Sequence, residues 1–562
     1  MSFSILGNIQ GGRLLISFHR DGVVEGHLQN FVFAFACGFL VLTVLPGMAS
    51  AHPLEGFWQE IGERSEDLEI TASDGNAHQW LGTGLSLDAD WLAAGAPGVD
   101  GSGLNTGAVY LFQWHPASES WEERQVLWPE DSDWGASFGG ALQLQQGNLL
   151  VSAEHGRVQN SSGLRVAAGL LYFYQWNPNG EIWEFQQKVK ALDPAPGDRF
   201  GASIDVDQNR LLVGAPMQDQ KGKDAGAAYL FTWNDEVELW EQHTKFLPSD
   251  LDAGDQFGID VALHGDLCLI GAWLHDGATE DGGAAFVYQF DSGSDQWLFQ
   301  KKLHSPILDP GSGFGYSLAL DASRAFIGAF REDHDLEPWD CGAAHLYRRK
   351  GGEWDYEARF LPSNPGVEGN FGFSVALSSG MLAVGGWMLP GSQSGTGAVD
   401  LFRWDQGSAS WSWWERWIAS DGAPGDAFGK VCLEDGWSVV SASNRDAAKI
   451  SQGSLFLFDN RNLFMQDLGN DWIQIELAGG EPHCWSWLTV SEIGPGKTWF
   501  PGRQAFVGLS FPNLVGDAKW ADAQGRAAWL LRKTFKPDGH LLWLQVAQFQ
   551  SRPSSMLTWS TP

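Results

Sequence analysis

A phenylalanine–glycine pair returns at one constant interval through the middle of the chain, at Phe200-Gly201, Phe257-Gly258, Phe314-Gly315, Phe371-Gly372 and Phe428-Gly429. Upstream it occurs as Phe138-Gly139, slightly farther from Phe200 than that interval, and in altered form as Leu81-Gly82, one interval before Phe138. A fixed period of this size means a repeat architecture, in which each unit covers the hydrophobic face of the next. Each unit reads as four strands. The pair opens a first strand, as in Phe371-Gly372-Phe373-Ser374-Val375-Ala376-Leu377, and a tight polar turn leads into a short apolar second strand. That strand ends at Gly-Ala, where small residues let backbones approach. A long Gly- and Asp-rich loop precedes a third strand such as Gly283-Ala284-Ala285-Phe286-Val287-Tyr288. The fourth strand begins at a tryptophan and alternates apolar with charged residues, as an exposed outer strand should.

Four strands repeated radially without helical periodicity predict a β-propeller. The Trp-Asp dipeptide of the WD-type blade does not recur here at a regular place, and the kelch blade is the nearest rival. The first three strands occur seven times, and so does the tryptophan, at Trp58, Trp121, Trp183, Trp240, Trp297, Trp354 and Trp411. Trp58 precedes the first of these strands and no equivalent follows Phe458. Residues 54–70 are therefore expected to supply the outer strand of the last blade and so close the ring. The expected fold is all-β: a seven-bladed propeller over residues 52–465, closed by an N-terminal strand and followed by a small β-sandwich over 466–562.

The Phe-Gly and Gly-Ala-Pro elements resemble the FG-GAP repeats of integrin α-subunit propellers. Phe200-Gly201 with Gly214-Ala215-Pro216 carries the pattern in full, and Leu81-Gly82 with Gly95-Ala96-Pro97 departs only at its first residue. A subgroup of bacterial secreted proteins is the closest look-alike. The resemblance implies extracellular binding or adhesion. Integrin-type repeats often carry an acidic Ca²⁺ loop between the first two strands, but here that connection is a tight turn such as Asp207-Gln208-Asn209. Such a turn lacks the six to eight oxygen ligands calcium takes. Ca²⁺ sites are thus not carried over, and no cofactor is expected.

Residues 31–46 form an uncharged apolar run ending in Gly47-Met48-Ala49-Ser50-Ala51, which reads as a signal peptide within a leader over 1–51. An uncleaved anchor is the rival; otherwise no membrane insertion is expected once the leader is removed, and the mature chain would be secreted or at the cell surface. The net charge of −34 argues against nucleic acid or anionic membrane as a partner, since both need clustered Lys and Arg. Five cysteines without a CxxC pair exclude a zinc knuckle.

The short connections lie on one rim of the ring, so the long second-to-third and fourth-to-first loops share the other. Binding residues concentrate on such loops. The candidate ligand-binding set is Trp273, Phe330 and Trp387, three aromatic residues spaced one repeat apart, with Asp276, Asp281, Asp333 and Asp335. The plainer accounts are packing between blades for the rings and turn capping for the aspartates. Capping applies most to Asp198, Asp255 and Asp426, each two positions before its Phe-Gly. His275 and His334 with Asp276 and Asp333 make a weaker acid–base candidate; no nucleophile elbow, HExxH or P-loop is present. The sequence thus points first to an exported non-enzymatic binding or adhesion protein with a protein or glycan ligand. A polysaccharide hydrolase or lyase acting in the propeller mouth and an envelope scaffold are the alternatives, and the oligomeric state is open.

Overall fold

The computed structural model describes residues 63–459, apart from 76–78, 116–117, 119, 130–133, 160–161, 164, 334–339, 367, 379, 406–408, 434–436 and 447–450; outside that span it describes individual strands alone. The described residues contain no helix. Blade three shows the unit: Ile204–Asp207, Arg210–Ala215, Ala227–Asn234 and Leu239–Phe246 pair in chain order as one antiparallel sheet. Six other sheets repeat it, and their first strands touch in succession until the seventh returns to the first. The chain is a seven-bladed β-propeller.

The Phe-Gly and Gly-Ala pairs are what hold one blade to the next. The phenylalanines at 138, 200, 257, 314, 371 and 428, and Leu81 in the first blade, are almost wholly buried. The glycine of each Gly-Ala lies against the Phe-Gly glycine of the following blade. A Cβ on Gly214 would stand 2.0 Å from the Gly258 carbonyl oxygen, and one on Gly271 2.0 Å from that of Gly315. Two blades carry serine instead, Ser152 and Ser441, and their hydroxyls bond backbone: Ser152 accepts from the Ala141 amide at 2.8 Å, and Ser441 donates to the Gly82 carbonyl at 2.8 Å. The Ser441 bond links blade seven to blade one. A second glycine, before each third strand, has φ between 78° and 92° from Gly107 to Gly453, a region closed to other residues without strain. It abuts the next blade's phenylalanine backbone, and Gly453 meets Leu81 in the same way.

The first strands are sheet edges, so their outward amides need partners. Side chains of the preceding blade provide them. Ser86 accepts from Leu144 N at 3.0 Å, Ser203 from Val261 N at 2.9 Å and Asp205 from Leu263 N at 2.7 Å. Asp260 accepts from Leu318 N at 2.7 Å, and Ser374 from Val431 N at 3.1 Å. The outer strand of each of blades one to six carries a β-bulge, which in blades one to five twists a free edge away from pairing.

Blade seven takes its fourth strand from the other end of the described chain. Leu68–Ile70 pairs antiparallel with Leu455–Leu457. Just before it, Glu63–Ser65 pairs in parallel with Arg416–Ile418 of blade six. Ile70 faces Leu455 as Phe246 faces Ala228. Trp58 itself lies outside the described residues, as do the leader side chains.

By contact the chain divides into two units, one made chiefly of residues 59–434 and 438–458, the other of both ends. Within the second unit, Leu463–Asp467, Trp472–Leu477 and Ala527–Arg532 form a three-stranded sheet, and Trp485–Ser491 pairs with Trp543–Phe549. No helix among the described residues is long and apolar enough to cross a membrane.

Candidate functional site

Four rings from three consecutive blades meet on the long-loop rim. Trp273 and Phe330 each follow the Gly-Ala of their second strand, whereas Tyr316 and Phe373 each follow a Phe-Gly on a first strand. Tyr316 sits 4.4 Å from Phe330, 5.6 Å from Trp273 and 5.4 Å from Phe373, centroid to centroid, and Trp273 and Phe330 are 5.6 Å apart. Such tilted and edge-on contacts are favourable for aromatic pairs. Phe330 is buried, and the other three are half-buried. The Trp273 indole N–H donates to Gln256 Oε1 at 3.0 Å, which fixes the ring. Exposed Arg331 lies over both Trp273 and Phe330, its guanidinium carbon 5.3 and 5.0 Å from their centroids.

Trp273 and Phe330 of the candidate set are thus brought together. Trp387, half-buried on blade six, makes no ring contact with them; the ring that extends the cluster there is Phe373. Tyr316 and Phe373 were missed because they stand at a position of the repeat occupied elsewhere by Thr83, Gly140, Ala202, Ile259 and Lys430. No regular rhythm of aromatics marks it.

The aspartates bond to their own loops. Asp276 Oδ1 accepts the Asp281 amide at 2.8 Å, and Asp333 Oδ1 accepts the Asp340 amide at 2.8 Å; Asp100 and Asp219 accept the amides of Asn105 and Asp224 in the same way. Every one of these amide donors sits in the left-handed region: Asn105, Asp224, Asp281 and Asp340 all have positive φ. This turn chemistry is what Asp and Asn side chains supply. Asp198, Asp255 and Asp426 accept the amides of Ala195, Asp252 and Ala423 at 2.7–2.9 Å. Asp335 and His334 lie outside the described residues. Burial, and then Lys302 standing 3.0 Å from its Nε2, push the His275 imidazole below its usual value.

Deeper along the ring axis, both oxygens of each carboxylate are taken. Asp260 accepts from Ser203 Oγ, Val261 N and Leu318 N, and Asp205 from Val206 N and Leu263 N. Burial pushes Asp205 up to about 7 and Asp260 up to about 6. Lys430 donates to the Thr83 carbonyl and is pushed down by burial. Near the rim, each outer strand of blades two to six carries a cation facing the third strand. It lies over a ring for Lys188 with Tyr172, Lys245 with Tyr229 and Lys302 with Phe286. In blade five it is Arg359, bonded to buried Glu332, which also bonds His345 and Ser305. In blade six it is Arg416, bidentate to Asp400 at 2.7 and 2.9 Å. Among the described residues no three His, Cys, Asp or Glu are placed to hold a metal ion.

The FG-GAP repeat family matches residues 65–112, 183–231 and 240–288. This chain is a seven-bladed β-propeller that carries FG-GAP repeats. Each matched repeat begins on or just before an outer strand and runs through the first three strands of the following blade, so the sequence unit of the FG-GAP propeller is offset by one strand from its blade. The match at 65–112 includes Leu68–Ile70, the fourth strand of blade seven. Two solved structures resemble the FG-GAP propeller at low identity. A protein from Lactobacillus plantarum matches at TM-score 0.40 and 12% identity, over 61% of this chain and 85% of its own. The periplasmic gluconolactonase of Pseudomonas aeruginosa matches at 0.39 and 13%, over 74% of this chain and 95% of its own. No curated protein matches the chain.

Proposed function

We propose that this FG-GAP propeller is an exported, non-enzymatic binding protein that takes an extracellular protein or glycan on its long-loop face, at the cluster of Trp273, Tyr316, Phe330 and Phe373. The observation that carries this reading is the meeting of four rings from three blades at the rim, with Trp273 pinned by Gln256 and partly open to solvent. Aromatic surface held rigid on a scaffold binds with little ordering cost. The described axial carboxylates speak for binding over hydrolysis. A glycosidase needs two carboxyl groups free to act on one bond, whereas Asp205 and Asp260 each spend both oxygens on strand amides or a serine hydroxyl.

The test is a glycan and protein array probed with the exported chain, with and without Ca²⁺, beside Trp273→Ala and a control variant on the opposite rim. The reading expects ligands whose affinity falls about tenfold or more in Trp273→Ala, in keeping with the weight of central aromatic anchors. Retained affinity in that variant, or turnover of a bound polysaccharide, would overturn it.

A further inference from the structure

Arg331 differs from the arginines that are tied up in close ion pairs. Arg199, Arg210, Arg324, Arg359, Arg416 and Arg445 each lie within ion-pair distance of a carboxylate, from 2.6 to 2.7 Å at closest approach. Arg331 is exposed, spread over two rings, and has no carboxylate at such a distance among the described residues. That is unexpected in a chain whose acidic side chains outnumber Lys and Arg 69 to 35. An arginine held flat on aromatic faces keeps its N–H edge free and aimed, so little freedom is lost when it grips a planar anion in a two-pronged bond. Its charge also reaches Asp340 on its own loop and, together with that of Arg199 two blades away, the half-buried Tyr316, where both oppose the negative charge of Asp260.

Resting on the reading above, we infer that the ligand is a glycan bearing a carboxylate: an acidic sugar whose carboxylate is held by Arg331 and whose C–H face lies on the half-buried rings. The overall charge of −34 opposes a densely anionic polymer, so the carboxylates are sparse, set among neutral sugars. The side-chain amide of Gln256, whose carbonyl end is held by Trp273, stands ready to donate to a hydroxyl.

Calorimetric titration of the full chain with an oligosaccharide ending in glucuronic acid, and with its glucose-ended counterpart, tests this. The acidic sugar is expected to bind at least tenfold tighter, and the preference to shrink at high salt. Arg331→Ala should remove the preference, Arg331→Lys should restore part of it, and Trp273→Ala should weaken both sugars, with melting temperatures unchanged in the exposed Arg331 variants. Equal binding of the two sugars, unaltered by Arg331→Ala, overturns the carboxylate assignment while leaving the mouth as a glycan site. Binding of an acidic peptide but neither sugar overturns the glycan assignment and leaves a protein-binding mouth. Failure of sugars and peptides alike, with Trp273→Ala indistinguishable from the wild type, sinks the underlying reading too.

Discussion

Blades three and six solve one problem in two ways. Both bring a cation from the outer strand against the third strand near the long-loop rim. In blade three, Lys245 lies over the Tyr229 ring and reaches Asp193 at 2.7 Å, a carboxylate about half exposed. In blade six, Arg416 and Asp400 are both essentially buried, and Arg416 also donates to the carbonyls of Asn364 and Pro390. The first arrangement leaves the ammonium partly hydrated and can lose either partner at small cost. The second has removed two charges from water, so each is needed to compensate the other. The same position of one repeat can therefore be nearly neutral or decisive for stability, depending on whether the cation and its acid are left partly in water or sealed from it.

That contrast is breakable by mutation. Arg416→Ala should lose about 3–5 kcal/mol of stability, because it strands the Asp400 carboxylate, read as a lower urea midpoint at unchanged slope. A loss no greater than that of Lys245→Ala would erase the distinction. Glu332→Gln in blade five should come next, at about 1–3 kcal/mol, since Arg359 keeps a hydrogen-bond partner but loses its counter-charge. Lys245→Ala should cost least, about 0.5–1 kcal/mol.

The pH dependence sharpens the same comparison. Burial lifts Asp205 from an ordinary 3.8 to about 7, and lifts Asp198, Asp255 and Asp260 to about 6. A carboxyl raised on folding makes the native chain hold more protons than the unfolded one between those values. Its stabilising protonation is fully present below 3.8 and lost as pH rises through 6 to 7. Glu332 is displaced the other way: burial opposes its charge, but His345, Arg359 and Ser305 outweigh it and hold it below its usual 4.5. Its contribution is lost as pH falls through its depressed value. Thermal melting should therefore show stability rising as pH drops from 8 to about 5. Asp205→Asn should flatten that rise, and an unaltered slope in the variant would remove Asp205 from the account.

Much of this molecule was legible because the repeat is strict. The spacing of Phe-Gly announces the blades, and the glycines mark where backbones touch. The aspartates two positions before Phe-Gly sit where turn capping was expected, and cap. Trp58, which completed the count of tryptophans, lies outside the described residues, and the fourth strand of blade seven is read instead from register, with Ile70 opposite Leu455. Among the candidate site residues, Trp273 and Phe330 lay on the visible rhythm, but Tyr316 and Phe373 enter the cluster from a different strand and follow no periodic aromatic pattern. Asp276 and Asp333 could be named from sequence, yet only coordinates show their oxygens turned back on their own loops.

A linear pattern with a constant interval dictates which positions are equivalent, because each sheet must bury its face on a neighbour of the same shape. It thereby determined the all-β class, the number of blades and the glycine seams. It says nothing of which side chains from different blades converge, since that depends on how the sheets lie in space around the axis. Only the tertiary structure decided that Asp205 serves the Leu263 amide of the next blade, that Arg416 is sealed against Asp400, and that exposed Arg331 rests on two rings.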